Sequence, residues 1–358
     1  MTHRRRAEYD PATRPARAAA AAIAVAAACG GPAVDRGRSG GAHRPAAEII
    51  SCIDLPRSDA RSHNLSGLAW DAAAQRLFAV SDRDRWIVTL VPRPGFVGFD
   101  LGPSIALDID VEPWDGEALA LDGDRFLVIA NEDVPAVFSV DRSGHGATRF
   151  ELPQFRGMRD NLGLEGLGYV ASGGHRYLFA VNEQALASDG PMSTPVQGTV
   201  VRILRHSLDG GPDLVVAYRT DPIFADGPRA DNGVSDLAPL SSERLLVLER
   251  AYVRGRGNAV RVYDVDLRGA QNITGLADAR TAAPVAKHLV VDLAVMPDGH
   301  CSLPPNPQRR RTLDNYEGLA LGPTLADGRR LLFLVSDDNE RPTQVPRLLT
   351  IALVPGAL

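Results

Sequence analysis

One unit recurs five times along this chain, and it limits the possible folds more than any other feature. In each copy a short apolar run opens on a polar residue, passes a turn, and returns as a second apolar run ending on an acid. The copies are SGLAWDAAAQRLFAVSD (Ser66–Asp82), EALALDGDRFLVIANE (Glu117–Glu132), EGLGYVASGGHRYLFAVNE (Glu165–Glu183), SDLAPLSSERLLVLE (Ser235–Glu249) and EGLALGPTLADGRRLLFLVSD (Glu317–Asp337). An Asn or Asp stands just upstream each time: Asn64, Asp115, Asn161, Asn232 and Asn315. Two apolar runs around a polar turn form an antiparallel hairpin. In such a hairpin the numbers of paired residues keep a constant sum. With the turn near residue 327, Glu317 is expected opposite about residue 337, so that two carboxylates share the open end. Repetition of this kind marks a repeat architecture.

Each hairpin is followed by further strand-like segments. The expected strands are 66–70, 77–82, 86–91 and one within 97–110, then 117–121, 125–132, 136–141 and 147–153. The third and fourth units give 164–170, 177–183, 199–206, 213–219, and 234–240, 244–251, 259–267, with a last strand near 286–293. The fifth unit has three only, 316–321, 331–336 and 347–354, and the lone strand 47–55 supplies its fourth. The fold class predicted is all-β: a β-propeller of five four-stranded blades closed by the N-terminal strand. Segments 184–198 and 268–285 leave room for more, so six blades is the alternative. No segment after the N-terminal region has helical periodicity.

In a propeller the first strand of each blade lines the central channel, and the small residues of the Gly-Leu-Ala runs suit that crowding. All the hairpins then open onto one mouth. Glu117, Glu165, Asp236 and Glu317 are expected nearest the axis, with Asp82, Glu132, Glu183, Glu249 and Asp337 close behind. So many carboxylates at short range call for a cation or for arginines. Ca²⁺, a hard ion that takes oxygen ligands, is the expected cofactor, and these nine acids are its candidate ligands. The alternative is that acids and Asn end the strands because they serve turns.

The formal net charge is −5, and residues 1–28 carry five Arg and two acids, so the remainder carries −8. An acidic body argues against a nucleic-acid partner and is compatible with a cation site. The N-terminus reads as a targeting segment. Arg4, Arg5, Arg6 and Arg17 precede an 11-residue small and apolar stretch, Ala18–Ala28, too short to span a membrane and suited to a signal-peptide core. It ends in Ala26-Ala27-Ala28-Cys29, which resembles a bacterial lipobox with Ala26 where Leu, Val or Ile is usual. The alternative is cleavage after an A-x-A site, leaving Cys29 a free thiol. Residues 1–29 are thus a signal segment, 30–46 a tether, and 47–358 the folded domain. The expectation is an exported, monomeric cell-envelope lipoprotein, touching membrane only through an N-terminal lipid. If Cys29 carries lipid, Cys52 and Cys301 remain, and closure by strand 47–55 brings them together as a disulfide. Two unpaired buried thiols are the alternative.

Basic residues define the rest. Arg309-Arg310-Arg311 stands six residues before Glu317 and reads either as a phosphate-binding group at the mouth, with Arg310 its centre, or as a solvated loop. Arg250 reads as a structural partner for acids. Lys287 is the sole lysine against 38 arginines, which hints at a role Arg cannot fill, although a surface strand position explains it as well. The sequence has no G-x-S-x-G elbow, no H-E-x-x-H and no glycine-rich phosphate loop.

The segments DGEALAL (Asp115–Leu121), NLGLEGLGYV (Asn161–Val170), NGVSDLAPL (Asn232–Leu240), LLVLER (Leu245–Arg250), NYEGLALGP (Asn315–Pro323) and LLFLVSDDN (Leu331–Asn339) resemble the phytase-like family known as "esterase-like activity of phytase". The likeness spans roughly residues 60–354. It implies phosphoester chemistry and, through propeller phytases, Ca²⁺. A calcium-dependent phosphoester hydrolase acting on a small phosphoester is the function expected, with Glu317, Glu165 and Arg310 as its catalytic groups. The alternative is a non-catalytic propeller lipoprotein that binds an envelope glycan, peptide or protein.

Overall fold

The structure is a computed structural model that describes residues 46–305 and 308–358. The expected signal peptide, Cys29 and all but the last residue of the tether lie outside the described residues.

Twenty strands form five antiparallel four-stranded sheets. Blade one is β2 (Leu65–Asp71), β3 (Arg76–Ser81), β4 (Trp86–Pro92) and β5 (Phe99–Ala106). Blade two is β6 (Ala118–Asp122), β7 (Arg125–Ile129), β8 (Ala136–Asp141) and β9 (Thr148–Glu151). Blade three is β10 (Leu164–Ser172), β11 (His175–Asn182), β12 (Val200–Ser207) and β13 (Leu214–Arg219). Blade four is β14 (Ala230–Ser241), β15 (Arg244–Val253), β16 (Gly257–Asp266) and β17 (Lys287–Asp292). Blade five is β18 (Tyr316–Thr324), β19 (Arg330–Ser336) and β20 (Arg347–Leu353), completed by β1 (Ala47–Asp54), which pairs antiparallel with β20. The first strands of the blades neighbour one another in the cyclic order β2, β6, β10, β14, β18 and back to β2. The chain is a five-bladed β-propeller.

Six blades are ruled out by where the spare segments go. Neither 184–198 nor 268–285 contains a strand. The second runs along blade three: Ile273 N–H donates to the Val215 carbonyl and Val285 N–H to that of Ala217, so this loop covers the outer edge of β13.

The core lies between blades. Five apolar clusters are present among the described residues, each shared by two neighbouring blades; Leu65 and Leu77, for example, pack with Ala320, Leu331 and Phe333 across the first and last. A middle strand therefore faces apolar neighbours on both sides and reads as a continuous run, as Leu331–Val335 does, all fully buried. The outer strand of blade two loses this, every residue of β9 being exposed, whereas the loop-covered β13 stays buried. The first strands approach so closely at the axis that a Cβ on Gly67 would sit 2.5 Å from the Leu119 nitrogen, and one on Gly318 2.2 Å from the Ser66 carbonyl oxygen.

Three contacts secure the seam. The β1–β20 ladder runs from Ala47 opposite Leu353 to Asp54 opposite Arg347. The fully buried Arg347 donates to Asp54 at 2.6 Å and to the Ser302 carbonyl at 3.1 Å. Cys52 and Cys301 form the expected disulfide, with Cα atoms 5.1 Å apart and 249 residues between them in sequence. Replacing both cysteines by serine should lower unfolding stability by about 2 to 5 kcal/mol in denaturant titration, the usual range for losing a native disulfide. An unchanged midpoint would show that strand pairing alone holds the seam.

Candidate functional site

Local register decides what reaches the channel mouth. In blade three Leu164 pairs with Asn182, and in blade five Tyr316 pairs with Ser336; a bulge then sets Glu165 and Glu317 apart from the ladder. Bulges re-aim side chains in this way beside functional sites. Asp337 thus lies opposite Asn315, to whose carbonyl it donates, rather than opposite Glu317. In blade four the equivalent pair is Val234 with Glu249, and Gly233 pairs with Arg250. This alignment makes Arg250, not Glu249, the counterpart of Asp82, Glu132, Glu183 and Asp337. By the same count Ser235 stands where Glu165 and Glu317 stand, and Asp236 takes the place of Gly166 and Gly318.

The mouth consequently gathers seven of the sequence candidates: Asp82, Glu117, Glu132, Glu165, Glu183, Glu317 and Asp337, each within electrostatic reach of others in the set. Asp115 joins them. Carboxylate oxygens of Asp115, Glu117 and Glu132 lie within 4.8 Å of one another. Ser66 Oγ donates to Glu317 at 3.3 Å, and Asn315 Nδ2 donates to the same carboxylate at 2.7 Å. The Glu165 side chain is buried and makes no hydrogen bond among the described residues.

Burial and mutual repulsion push these acids up. Burial first, then the Glu317 charge, raise Asp82 to about 8. Burial, opposed by the Gly163 N–H and helped by Asp115, raises Glu132 to about 7. Glu183 goes to about 8 by burial, against the pull of Arg250. Glu117, Glu165 and Asp337 are held well above the carboxylate range by burial and neighbouring acids.

Two arginines stand among them: the exposed Arg83, whose Nε lies 3.8 Å from Asp82, and the buried Arg250. Arg250 Nη2 stands 3.6 Å from Glu183 and 3.7 Å from Glu317, and its Nε donates to Ser235 Oγ at 3.4 Å. Burial opposes its charge, and the carboxylates of Glu317, Glu183 and Asp231 outweigh burial. Five N–H donors with contacts this long leave most of its capacity unused. The sequence alone reads Arg250 as a structural partner for acids; counting from the apolar run of LLVLER against that of LFAVNE shows the signal that places it at the mouth.

Two candidates stand apart from the mouth. Asp236 lies in the channel wall, where its Oδ2 accepts from Leu319 N–H at 2.7 Å and its Oδ1 from Leu237 and Leu167 N–H at 2.7 and 3.4 Å. It ties blade four to the strands that carry Glu165 and Glu317. Burial raises its pKa well above the ordinary value, and those three N–H groups oppose the rise. Glu249 turns outward, accepting from Tyr218 Oη at 2.5 Å, from Lys287 Nζ at 2.6 Å and from Asp221 N–H at 2.8 Å. Lys287 also pairs with Asp221 at 2.8 Å and sits 4.1 Å over the Tyr263 ring, so the sole lysine anchors an ion network that joins blade four to the end of blade three. Arg309, Arg310 and Arg311 pair with no mouth carboxylate among the described residues. Arg309 lies over Phe224 at 4.4 Å, Arg310 Nε donates to the Ala294 carbonyl at 3.1 Å, and Arg311 N–H donates to Asp298 at 3.1 Å.

Comparison with known proteins now bears on this site. The family described as "Phytase-like: Esterase-like activity of phytase" matches residues 61–340. The chain belongs to this family. The family's description names an esterase-like activity, which suggests a hydrolase, and the matched span carries every mouth residue. No curated protein matches the phytase-like chain significantly. Distant likenesses among solved structures are to a nidogen/laminin complex (11% identity, 82% of this chain and 86% of that one, TM-score 0.39) and to a luciferin-regenerating enzyme (13%, 87% and 96%, TM-score 0.38). A bifunctional GH43-CE protein of Bacteroides eggerthii is similar at 10% identity over 80% of this chain and 33% of that one, TM-score 0.41.

Folded-state pKa values above the unfolded ones mean that the native mouth binds more protons than the unfolded chain between about pH 4 and pH 8. In chelator, stability should therefore fall as pH rises through that window, and calorimetry should show a lower Tm at pH 8 than at pH 5. A Tm that rises over this range would place the acids apart in solution. Asp236→Ala should cost about 2 to 4 kcal/mol in denaturant unfolding, because three backbone donors in the channel lose their acceptor.

Proposed function

We propose that this phytase-like protein is a calcium-dependent phosphoester hydrolase of the cell envelope, with its reaction at the channel mouth. One arrangement carries that proposal: a compact all-oxygen group, Asp115, Glu117 and Glu132, shares the mouth with a buried, underused guanidinium, Arg250. Ca²⁺ bonds oxygens at about 2.3 to 2.6 Å, so oxygens around one ion stand up to about 5 Å apart. The three carboxylates meet that spacing, and their hard oxygen donors suit the ion. When bound, Ca²⁺ supplies a Lewis acid for a phosphoryl oxygen and a more acidic water.

The chain's own residues supply the rest. Arg250 presents a planar fork that matches phosphate oxygens, the role sequence reasoning had given to Arg310. Glu165 and Glu317 reach the mouth on bulges, and burial lifts both above the ordinary carboxylate range. A carboxyl group so raised holds its proton more tightly than an ordinary one, as a general acid requires. The expected signal peptide and lipidated Cys29 would hold the enzyme, as a monomer, at the envelope.

The test is hydrolysis of a generic phosphomonoester and a generic phosphodiester in Ca²⁺ and in chelator. Turnover should require Ca²⁺. Glu117→Gln with Glu132→Gln should weaken Ca²⁺ binding at least about tenfold in calorimetric titration, since each removes a charged ligand and keeps its volume. Arg250→Gln should lower kcat/KM about a hundredfold while sparing Ca²⁺ affinity, the expected loss of charge-assisted hydrogen bonds to phosphate. A folded protein that turns over neither ester in Ca²⁺ would make the mouth a binding site for an envelope ligand instead.

A further inference from the structure

The arginine-rich segments around blade four are not absorbed by the mouth. β15 continues from Arg250 to Val253 and turns into β16 through Arg254-Gly255-Arg256-Gly257, with Gly255 and Gly257 at φ of 82° and 81°. At about 3.3 Å per residue, this turn stands on the order of 10 Å beyond Arg250 on the mouth side. Arg254 N–H donates to the Pro228 carbonyl at 3.2 Å, which sets the turn beside Arg229. Asn258 and Gln308 bond each other twice, at 2.8 Å each way, and so fix the segment carrying Arg309 against the start of β16. Arg309 lies over Phe224, and a cavity of about 380 Å³ is lined by Phe224, Ala225, Gly255, Arg256, Gln308 and Arg309.

Clustering distinguishes this place. Several exposed arginines elsewhere close on a nearby acid, as Arg93 does on Asp100, Arg149 on Glu151, Arg268 on Asp266 and Arg280 on Asp278, and others, such as Arg76 and Arg156, stand singly. Arg229, Arg254, Arg256 and Arg309 are all exposed, and none has a carboxylate partner among the described residues. Asp226 is the exposed acid of the same loops. Unpaired guanidinium groups on a body of negative net charge attract an anion locally while the rest of the surface repels it. Two of them flank one cavity, and backbone bonds and a ring hold their segments in place. That favours a ligand with several closely spaced oxyanions over a single carboxylate.

We propose that this patch is a second anion site, which grips phosphate groups of a chain-like polyanion whose end reaches the mouth. Such a ligand would bridge Arg250 and the patch, so the substrate of the proposed hydrolase would be an extended poly-phosphorylated chain rather than an isolated small ester. The patch is nonetheless separable from the mouth, because its residues belong to neither the carboxylate group nor the guanidinium there.

The experiment is titration of the whole protein with inorganic polyphosphate in chelator, where no turnover occurs. Wild type should bind, and orthophosphate should bind at least about tenfold more weakly per phosphate. Arg256→Gln with Arg309→Gln should weaken binding at least about tenfold and make the log–log salt dependence shallower by about 1 to 2, as expected when two phosphate contacts are lost. Arg149→Gln, at an ion pair on β9 away from both mouth and patch, should bind polyphosphate as wild type does, and circular dichroism should show all variants folded. Equal affinity of the arginine double variant and wild type would overturn the proposal, as would orthophosphate binding as tightly as the chain. Binding of phosphatidylglycerol vesicles without binding of polyphosphate would overturn it too, and would make the patch a membrane contact. None of these failures touches ester hydrolysis by the wild type, which tests the mouth alone.

Discussion

The pairing of Ala47–Asp54 with Arg347–Leu353 is the interaction on which the rest depends. A propeller packs every blade against two neighbours only when the ring is closed, and here the last blade borrows its outer strand from the start of the chain. Closure brings the first and last blades into contact, so that Leu65 and Leu77 meet Ala320 and Phe333. It also completes the mouth, because Ser66 of blade one then reaches Glu317 of blade five. The disulfide and the buried Arg347–Asp54 pair both lie on this seam, where opening would undo most.

Closure has an electrostatic consequence. Convergence of five first strands requires small residues at the axis, and it carries the strand-end carboxylates inward together. Their solvation falls as their number rises, and both effects favour the protonated form. Blade four relieves the crowding. Its one-residue difference places Ser235 and Arg250 where the third and fifth blades place two acids. The remaining excess of negative charge sits nearest blade two, where Asp115, Glu117 and Glu132 crowd together. A mouth with one positive and one strongly negative wall is suited to holding a cation and an anion at once.

Much of this was legible beforehand because it is local. Apolar runs, turns and their number follow from residues within about twenty positions, so the hairpins, the blade count and the borrowed strand could be read directly. The Cys52–Cys301 disulfide followed from the cysteine count together with the closing strand. The residues misplaced were those whose position depends on single-residue register. Side chains alternate across a strand, so a shift of one residue sends a side chain to the other face. Glu249 and Arg250 exchange roles in this way, as do Ser235 and Asp236. Arg309, Arg310 and Arg311 were misplaced for a different reason. Six residues separate them from Glu317, but the connection after β17 ties Arg310 to Ala294 and Arg309 to Phe224.

The amino-acid sequence by itself therefore determined the all-β class, the five repeated hairpins, the closing strand and the acidic character of one end of the channel. These are properties of pattern and composition, which short segments carry with them. Only the tertiary structure decided which acids share the mouth, that Arg250 is their counter-charge, that Asp236 clamps the channel wall, and that Lys287 serves Glu249 and Asp221. Those outcomes turn on bulges and on the paths of long connections, where a displacement of about 3 Å, one residue of strand, changes every partner a side chain can reach.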